Sequence, residues 1–342
     1  MTVPAPAEEN RAAAPPDGGR RRWRRVGRVV GLALVLGLVL GLGVGSVAVW
    51  MRGRSLEQSI SRVDPFASVP AQGRPGQSVS AGTNYLVLGV DAPPGSDTAG
   101  FRADTIILVH VSEDRRRGDM ISIPRDTCVS MPASAQPQHG QKAKINAAFA
   151  WGGAPLLVQT VESFTGVRID HVVMIDFAGF EKVINTLGGV TVTVHENFTT
   201  PRRQFTKGIW HMDGETALDY ARQRPFADGD FTRIRHQQQV FRAVLDRATE
   251  RGLLVNPGKL NTVLRAVTDA VTVDRGLSLF NTAWALRNIR ADSVSAITVP
   301  TARTGMVGDQ SVVLADEKAA ADLFAAVRAD TVGSWLKANP GK

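Results

Sequence analysis

The chain has 342 residues, 43% of them hydrophobic, with 33 Gly and 18 Pro. This is the composition of a globular protein, long enough for one large domain or two small ones. A single Cys excludes an internal disulfide framework and any Cys-cluster zinc or iron–sulfur site. Lys and Arg number 40 against 32 Asp and Glu, a net +8. Residues 1–28 alone hold seven Arg against Glu8, Glu9 and Asp17, which is 7 − 3 = +4. Half of the basic excess is therefore local, and the charge balance points to no nucleic-acid partner.

From Val29 to Met51 no residue is charged. These 23 residues suffice to cross about 30 Å of hydrocarbon at about 1.5 Å per residue. The run shows no polar face, as a buried core helix of this length would. The Arg cluster just before it predicts a cytoplasmic N-terminus and places residues after 51 outside. A cleaved signal peptide would carry a shorter apolar region and a small-residue cleavage site, whereas this run ends in Trp50-Met51-Arg52. Gly37, Gly41 and Gly45 share one helix face, a pattern open to helix pairing or to a Gly-rich span with no partner.

The predicted organisation is a basic cytoplasmic tail over 1–28, a transmembrane helix over 29–51, an extracytoplasmic linker over 52–80 containing Pro65, Pro70 and Pro75, a folded domain over 81–330, and a tail over 331–342. Within the domain, short apolar runs predict strands at 85–90, 105–111, 120–124, 171–177, 190–194, 294–299 and 311–314. Helical patterns cover 155–165, 177–187 with a Gly188-Gly189 stop, 214–222, 230–251, most of 256–290, and 316–328 with Asp316 as N-cap. Buried strands alternating with helices predict an α/β or α+β fold, a mixed central sheet sandwiched between helices.

Arg and Asp gather at the predicted strand ends. Asp91 closes the first strand, Arg102 and Asp104 open the second, and Arg125 and Asp126 follow the third. Arg222 and Arg224 close a helix. Asp230, Arg233 and Gln237 lie at i, i+3 and i+7 on one helical face. Ligands of α/β sheets bind in the crevice at strand ends. Several Arg with a few Asp suit a pyrophosphate, since Arg makes bidentate contacts to phosphate oxygens and carboxylates hold Mg²⁺. Each residue also has a plainer reading: Asp126 as a turn residue, Asp230 as an N-cap, Arg222 and Arg224 as surface charges at a helix end. The chain has no phosphate-binding GxxxxGK[ST] loop, GxSxG elbow or HExxH motif. His110 and His171 read as core or strand positions, and Cys128 as a small buried residue.

The stretches YLVLGVD (85–91), RADTIIL (102–108), ISIPRDT (121–127), KINAAFAWGG (144–153), TVESFTGVRIDHVVMIDFAGFEKVINTLGG (160–189), GETALDYARQR (214–224) and DFTRIRHQQ (230–238) follow one another in an order that resembles the LytR-CpsA-Psr family of membrane-anchored cell-wall glycopolymer ligases. The resemblance implies an apolar channel in the fold that holds a polyprenyl chain. It implies a Mg²⁺-dependent (or Mn²⁺-dependent) phosphotransferase that moves a phospho-glycopolymer from a polyprenyl-pyrophosphate carrier to a hydroxyl of peptidoglycan at the outer face of the cell membrane. Asp91 and Asp104 match the family's metal-linked acids. Arg102, Arg125, Arg222, Arg224 and Arg233 match its pyrophosphate arginines, and Asp230 and Gln237 match polar residues of the same site. Asp91, Asp104 and Arg125 form the expected catalytic set, with the general base open between the two acids. Ala103 and His236 depart from the residues common in the family, and the stretch 131–143 does not align closely. A hydrolase of the same lipid, or a non-enzymatic membrane-bound wall regulator, are the alternative readings.

Overall fold

The computed structural model describes residues 60–70, 73–77, 82–90, 102–132, 140–223, 230–248, 250, 257–278, 281–282, 289 and 291–340. The chain divides into two units, Met1–Ser55 and Leu56–Lys342, and every described residue belongs to the second. The apolar run 29–51 lies outside the described residues, among which no helix is long and apolar enough to cross a membrane.

In chain order, β1 (Ser61–Val63) precedes β2 (Thr83–Val90), β3 (Ala103–Val111) and β4 (Gly118–Ser122). A hairpin of β5 (Cys128–Ser130) and β6 (Lys142–Lys144) leads into α1 (Ile145–Thr165). β7 (His171–Asp176) and α2 (Phe177–Thr186) follow, then β8 (Val190–Val194), β9 (Phe198–Thr199), β10 (Gln204–Phe205) and β11 (Gly208–Met212). Three helices come next: α3 (Gly214–Arg222), α4 (Asp230–Ala248) and α5 (Pro257–Ala270). The described chain closes with β12 (Val271–Asp274), β13 (Val294–Thr298), β14 (Thr301–Val307), β15 (Gln310–Ala315), α6 (Glu317–Arg328) and α7 (Val332–Ala338).

Seven strands form the central mixed sheet in the order β1-β12-β7-β2-β3-β4-β13. β2 runs parallel to β7 and antiparallel to β3, and β4 runs antiparallel to β3 and parallel to β13. The C-terminal ends of β7, β2, β4 and β13 therefore share one sheet edge with the N-terminal end of β3. Alternation along each strand sends side chains to two faces. Leu86, Leu88, Ile106, Leu108, Ile121 and Met174 pack on one face against Phe149, Leu157 and Val161 of α1 and Leu323 and Phe324 of α6. Tyr85, Val87, Ile107, Val109 and Val173 turn to the other face, toward Phe241 and Leu245 of α4 and Val267 of α5. Tyr85, Val87, Val109, Val173 and Ile175 are only partly buried, so this second face keeps an apolar surface that is not fully covered.

Asp176 caps α2 by accepting from Gly179 N–H at 2.6 Å. Gly188 and Gly189 end the helix at φ 81° and 89°, a left-handed conformation that suits residues without a Cβ. Asp316 caps α6 as its position predicts, accepting from Ala319 N–H at 3.1 Å. A small second core ties α3 and α4 to the β8–β11 pair. In it Tyr220 stacks on His236 with ring centroids 4.0 Å apart and donates to Gln239 Oε1.

Several elements differ from the sequence expectation. α1 begins at Ile145, ten residues before the predicted helix, and is broken at Gly152–Gly153 ahead of Pro155. The predicted helical stretch 256–290 contains β12, whose β-branched Val271-Thr272-Val273 pairs with β7. Within the predicted linker, β1 pairs with β12 across more than 200 positions, Ile60 and Val69 are buried, and Arg74 makes a bidentate pair with Glu162 of α1. A three-residue strand has no period of its own to read, so only its distant partner reveals it. The predicted tail holds α7, which buries Val332 and Trp335. Cys128 is half-buried, where the sequence reading had it buried, because it sits on the short β5 at the margin of a groove.

Glu162 is 2% exposed and also accepts from Ile169 N–H. Replacing it with Ala strands the Arg74 charge, and Glu162→Ala is expected to cost about 3 kcal/mol in urea unfolding. A loss below about 1 kcal/mol, the range of exposed pairs, would mean that this pair does not fasten residues 60–77 to the domain. Burial pushes the Tyr220 phenol up to about 12. The folded state thus disfavours the phenolate, and this contribution is complete below the unfolded value of about 10 and lost as pH rises toward 12. Chemical denaturation from pH 9 to 12 is expected to show a falling stability that Tyr220→Phe flattens in part, Tyr85 being raised as well.

Candidate functional site

The site lies at the sheet edge where β7, β2, β4 and β13 end and β3 begins. Val90, the last residue of β2, is the register partner of both Asp176 on β7 and Ala103 on β3. A register shift between Gly89 and Val90 leaves Asp104 as the extra residue on β3. Such a bulge re-aims a side chain out of the regular alternation. Asp104 is half-buried and Arg102 exposed.

Arg125 stands three residues after the end of β4, and its Nη1 forms an ion pair with Asp104 Oδ1. Both side chains keep a fifth to a third of their surface accessible, 22% for Arg125 and 29% for Asp104. Arg125 Nε lies 3.9 Å from Asp126 Oδ2, and Asp126 Oδ1 lies 3.0 Å from Lys144 Nζ. A chain of alternating charges, Lys144–Asp126–Arg125–Asp104, thus lines this part of the edge. Asp126, which the sequence left between a turn residue and a site residue, is an ion-pairing member of it. The Asp104 carboxylate engages Nη1 and Arg125 Nε is buried, so an anion would be met by the remaining Nη N–H groups.

The helices bring further cations to the same edge. In the last turn of α3, the Arg222 guanidinium stacks over the Phe177 ring, 4.3 Å from its centroid, at the start of α2 just beyond β7. Stacking engages the face of the guanidinium and leaves its N–H edges for other partners. On α4, Arg242 donates to Val294 O at the start of β13, whereas Gln238 donates to Ser122 Oγ at 3.0 Å and Ile297 O at 3.3 Å near the ends of β4 and β13. Reading α4 backwards from Arg242 through Gln238 leads past the strand ends to Arg233 and Asp230. Those two form an ion pair, with Arg233 only 5% exposed. Gln237 is half-buried one turn after Arg233. The helix-face expectation for Asp230, Arg233 and Gln237 therefore meets the strand-end expectation for Asp104 and Arg125 at one edge. Asp91 and Arg224 lie outside the described residues.

Sequence reasoning missed Lys144 and Phe177. Lys144 stands in the quoted KINAAFAWGG stretch, but only the β5–β6 hairpin, which pairs it with Cys128, returns it to Arg125 and Asp126. Phe177 read as an ordinary helix residue, and its service as a platform depends on α3 packing beside α2.

Among the described residues no group of three or more His, Cys, Asp or Glu side chains is arranged to hold a metal. Asp104 offers a solvent-accessible hard oxygen at the residue after Ala103, and Asp91 is the residue after Ala103's partner Val90. Mg²⁺ is commonly bound by one or two carboxylates and completed by water and substrate phosphates. The Asp104 carboxylate is a donor of the type that such a metal takes.

Over 301 residues the chain is 32% identical to LcpB of Corynebacterium glutamicum, a probable cell wall biosynthesis protein, covering 83% of this chain and 69% of that protein. Over 205 residues it is 35% identical to TagV of Bacillus subtilis, a polyisoprenyl-teichoic acid–peptidoglycan teichoic acid transferase. That similarity covers 57% of this chain and spans about half (51%) of TagV. The crystal structure of B. subtilis TagV matches the fold with a TM-score of 0.61 at 29% identity, covering 75% of this chain and 97% of that structure. The model of the LytR_cpsA_psr family matches residues 48–329, and with the mixed sheet and its charged edge in that same span, the chain belongs to the LytR_cpsA_psr family.

Proposed function

We propose that the protein is an extracytoplasmic phosphotransferase that moves a phospho-glycopolymer from a polyprenyl-pyrophosphate carrier to a hydroxyl of peptidoglycan. The observation that carries this reading is the Arg125–Asp104 ion pair at the strand ends, with Arg222 held over Phe177 just beyond β7 and Arg233 paired with Asp230 on α4. The name of TagV, a teichoic acid transferase acting from a polyisoprenyl carrier to peptidoglycan, supports it.

A diphosphate carries charge on several oxygens, and three arginines from three different elements can hold them from different directions. Arg125 is oriented by Asp104, Arg222 by the Phe177 ring, and Arg233 by Asp230 with burial to lock it. Pre-oriented donors need no rearrangement when charge moves to the leaving group, which is where electrostatic catalysis gains most. Arg102 and Arg224 belong to the same proposed clamp, and Gln237 supplies a neutral donor beside Arg233. The partly covered apolar face under α4 and α5 would take the polyprenyl chain, and residues 29–51 would anchor the protein in the membrane with the N-terminus cytoplasmic. The acceptor hydroxyl oxygen attacks the glycan-side phosphorus, the P–O bond to the bridging oxygen breaks, and polyprenyl phosphate departs. Asp91 or Asp104 takes the hydroxyl proton. No nucleotide is consumed, since the anhydride is already activated. Asp91 and Asp104 would hold Mg²⁺ or Mn²⁺, which when bound supplies charge neutralisation to the diphosphate oxygens.

The test uses the full chain in detergent with a short-chain polyprenyl-pyrophosphate glycan, Mg²⁺ and peptidoglycan fragments, read by mass spectrometry. A glycan–phosphate–peptidoglycan adduct is expected. Arg125→Ala is expected to slow its formation by about 10²–10³, the loss typical of removing one charge-stabilising donor. Free phospho-glycan with no adduct would replace transfer by hydrolysis, and full activity in Arg125→Ala would remove the clamp from the reaction. For topology, in a Cys128→Ser background, a membrane-impermeant maleimide applied to intact cells is expected to label Ser80→Cys and to spare Asn10→Cys. The reverse pattern would invert the orientation.

A further inference from the structure

A second concave surface lies on the other side of the sheet from the partly covered apolar face. It is a groove of about 710 Å³ between the β5–β6 hairpin, the end of α1, the β14–β15 hairpin and α6. Its floor is aromatic, with Phe164 set edge-on to Phe324 at 5.6 Å between ring centroids. Its rim is cationic: Lys142 and Arg303 are exposed on the two hairpins, and Arg328 is fixed by donating to Thr165 O at 2.8 Å. Among the described lining residues Glu317 is the single carboxylate, which leaves 3 − 1 = +2.

The groove is joined to the charged edge. β5 begins at Cys128, three residues after Arg125 and so within about 11 Å along the chain. β6 ends at Lys144, whose ammonium holds Asp126. Val313 N–H on β15 donates to Asp126 O at 2.8 Å, fastening the second hairpin to the same turn.

Resting on the phosphotransferase reading, we propose that this groove binds the stem peptide of the peptidoglycan acceptor, seating the muramyl hydroxyl at the Arg125–Asp104 edge. Phosphoryl transfer places the attacking and leaving oxygens in line, so acceptor and leaving group approach from opposite sides. The leaving polyprenyl phosphate belongs on the α4–α5 side and the groove lies on the α1–α6 side. Stem peptides carry free carboxylates, which match a lining of net positive charge. The aromatic floor suits the apolar faces of alanyl side chains and sugar rings.

The experiment titrates the full chain in detergent with a fluorescent peptidoglycan tetrasaccharide bearing its stem peptides, and with the same glycan after the peptides are removed by an amidase. The peptide-bearing glycan is expected to bind about tenfold more tightly, and the double variant Lys142→Glu/Arg303→Glu to lose that advantage. Ala321→Trp, which fills the groove without changing charge, is expected to lose it as well. Binding of the lipid-linked donor stays unchanged in both variants. If the charge-reversed protein still prefers the peptide-bearing glycan, the assignment is overturned. It is equally overturned if the variants lose the donor instead, since the groove then serves the donor polymer. Failure of the phosphotransferase reading shows separately, as absence of adduct from a wild-type protein that binds the acceptor in this pattern.

Discussion

Everything at the charged edge depends on the register of β2 with its two neighbours. Val90 stands beside Asp176 of a parallel strand and Ala103 of an antiparallel one. That pairing makes four strands end where one begins, and the departing chain segments carry their charges to one place. A slip of one residue in β2 would reverse its faces, since side chains alternate with period two. The apolar sets on both faces, Leu86 and Leu88 on one and Tyr85 and Val87 on the other, hold the register by burial. The bulge at Gly89/Val90 then releases Asp104 from the alternation and lets it meet Arg125.

The site solves an electrostatic problem by pairing. Several arginines at one edge repel one another and gain little from isolated burial. Three of them are held by different devices: a carboxylate for Arg125, an aromatic face for Arg222, and a helical neighbour together with burial for Arg233. The Asp104 carboxylate and the Phe177 ring position Arg125 and Arg222 without engaging every donor of either guanidinium. Lys144 and Asp126 extend the same alternation of charge toward the β5–β6 hairpin. The charged edge thereby connects the two sides of the sheet, one with a partly covered apolar surface and the other with a cationic groove.

The N-terminal part of the domain contributes structure as well as connection. β1 extends the sheet beyond β12, Arg62 donates to the carbonyls of Asp274 and Leu277, and Arg74 locks onto Glu162. Asp274 in turn receives Val172 N–H and faces His171. Burial raises the Asp274 carboxyl, but His171 and the backbone donors outweigh it and hold it below its usual value.

The sequence by itself determined the main strands, the Asp316-capped and Gly-terminated helices and the family, because each rests on local pattern: apolar runs, Asp316 before a helix, Gly188-Gly189 after one, and motifs in a fixed order. It also placed Asp230, Arg233 and Gln237 on one face, since helical period is a local property. What only the tertiary structure decided was which charges meet. β1 and β12 are too short to have a period and exist through partners far along the chain. Lys144 joins Asp126 because a hairpin returns it, and Phe177 meets Arg222 because α3 packs beside α2. The groove beside β5 belongs to no single segment, since its lining comes from four separated parts of the chain brought together by burial of the core between the sheet, α1 and α6. Contacts of that kind are set by packing free energy over the whole domain, which no window of neighbouring residues contains.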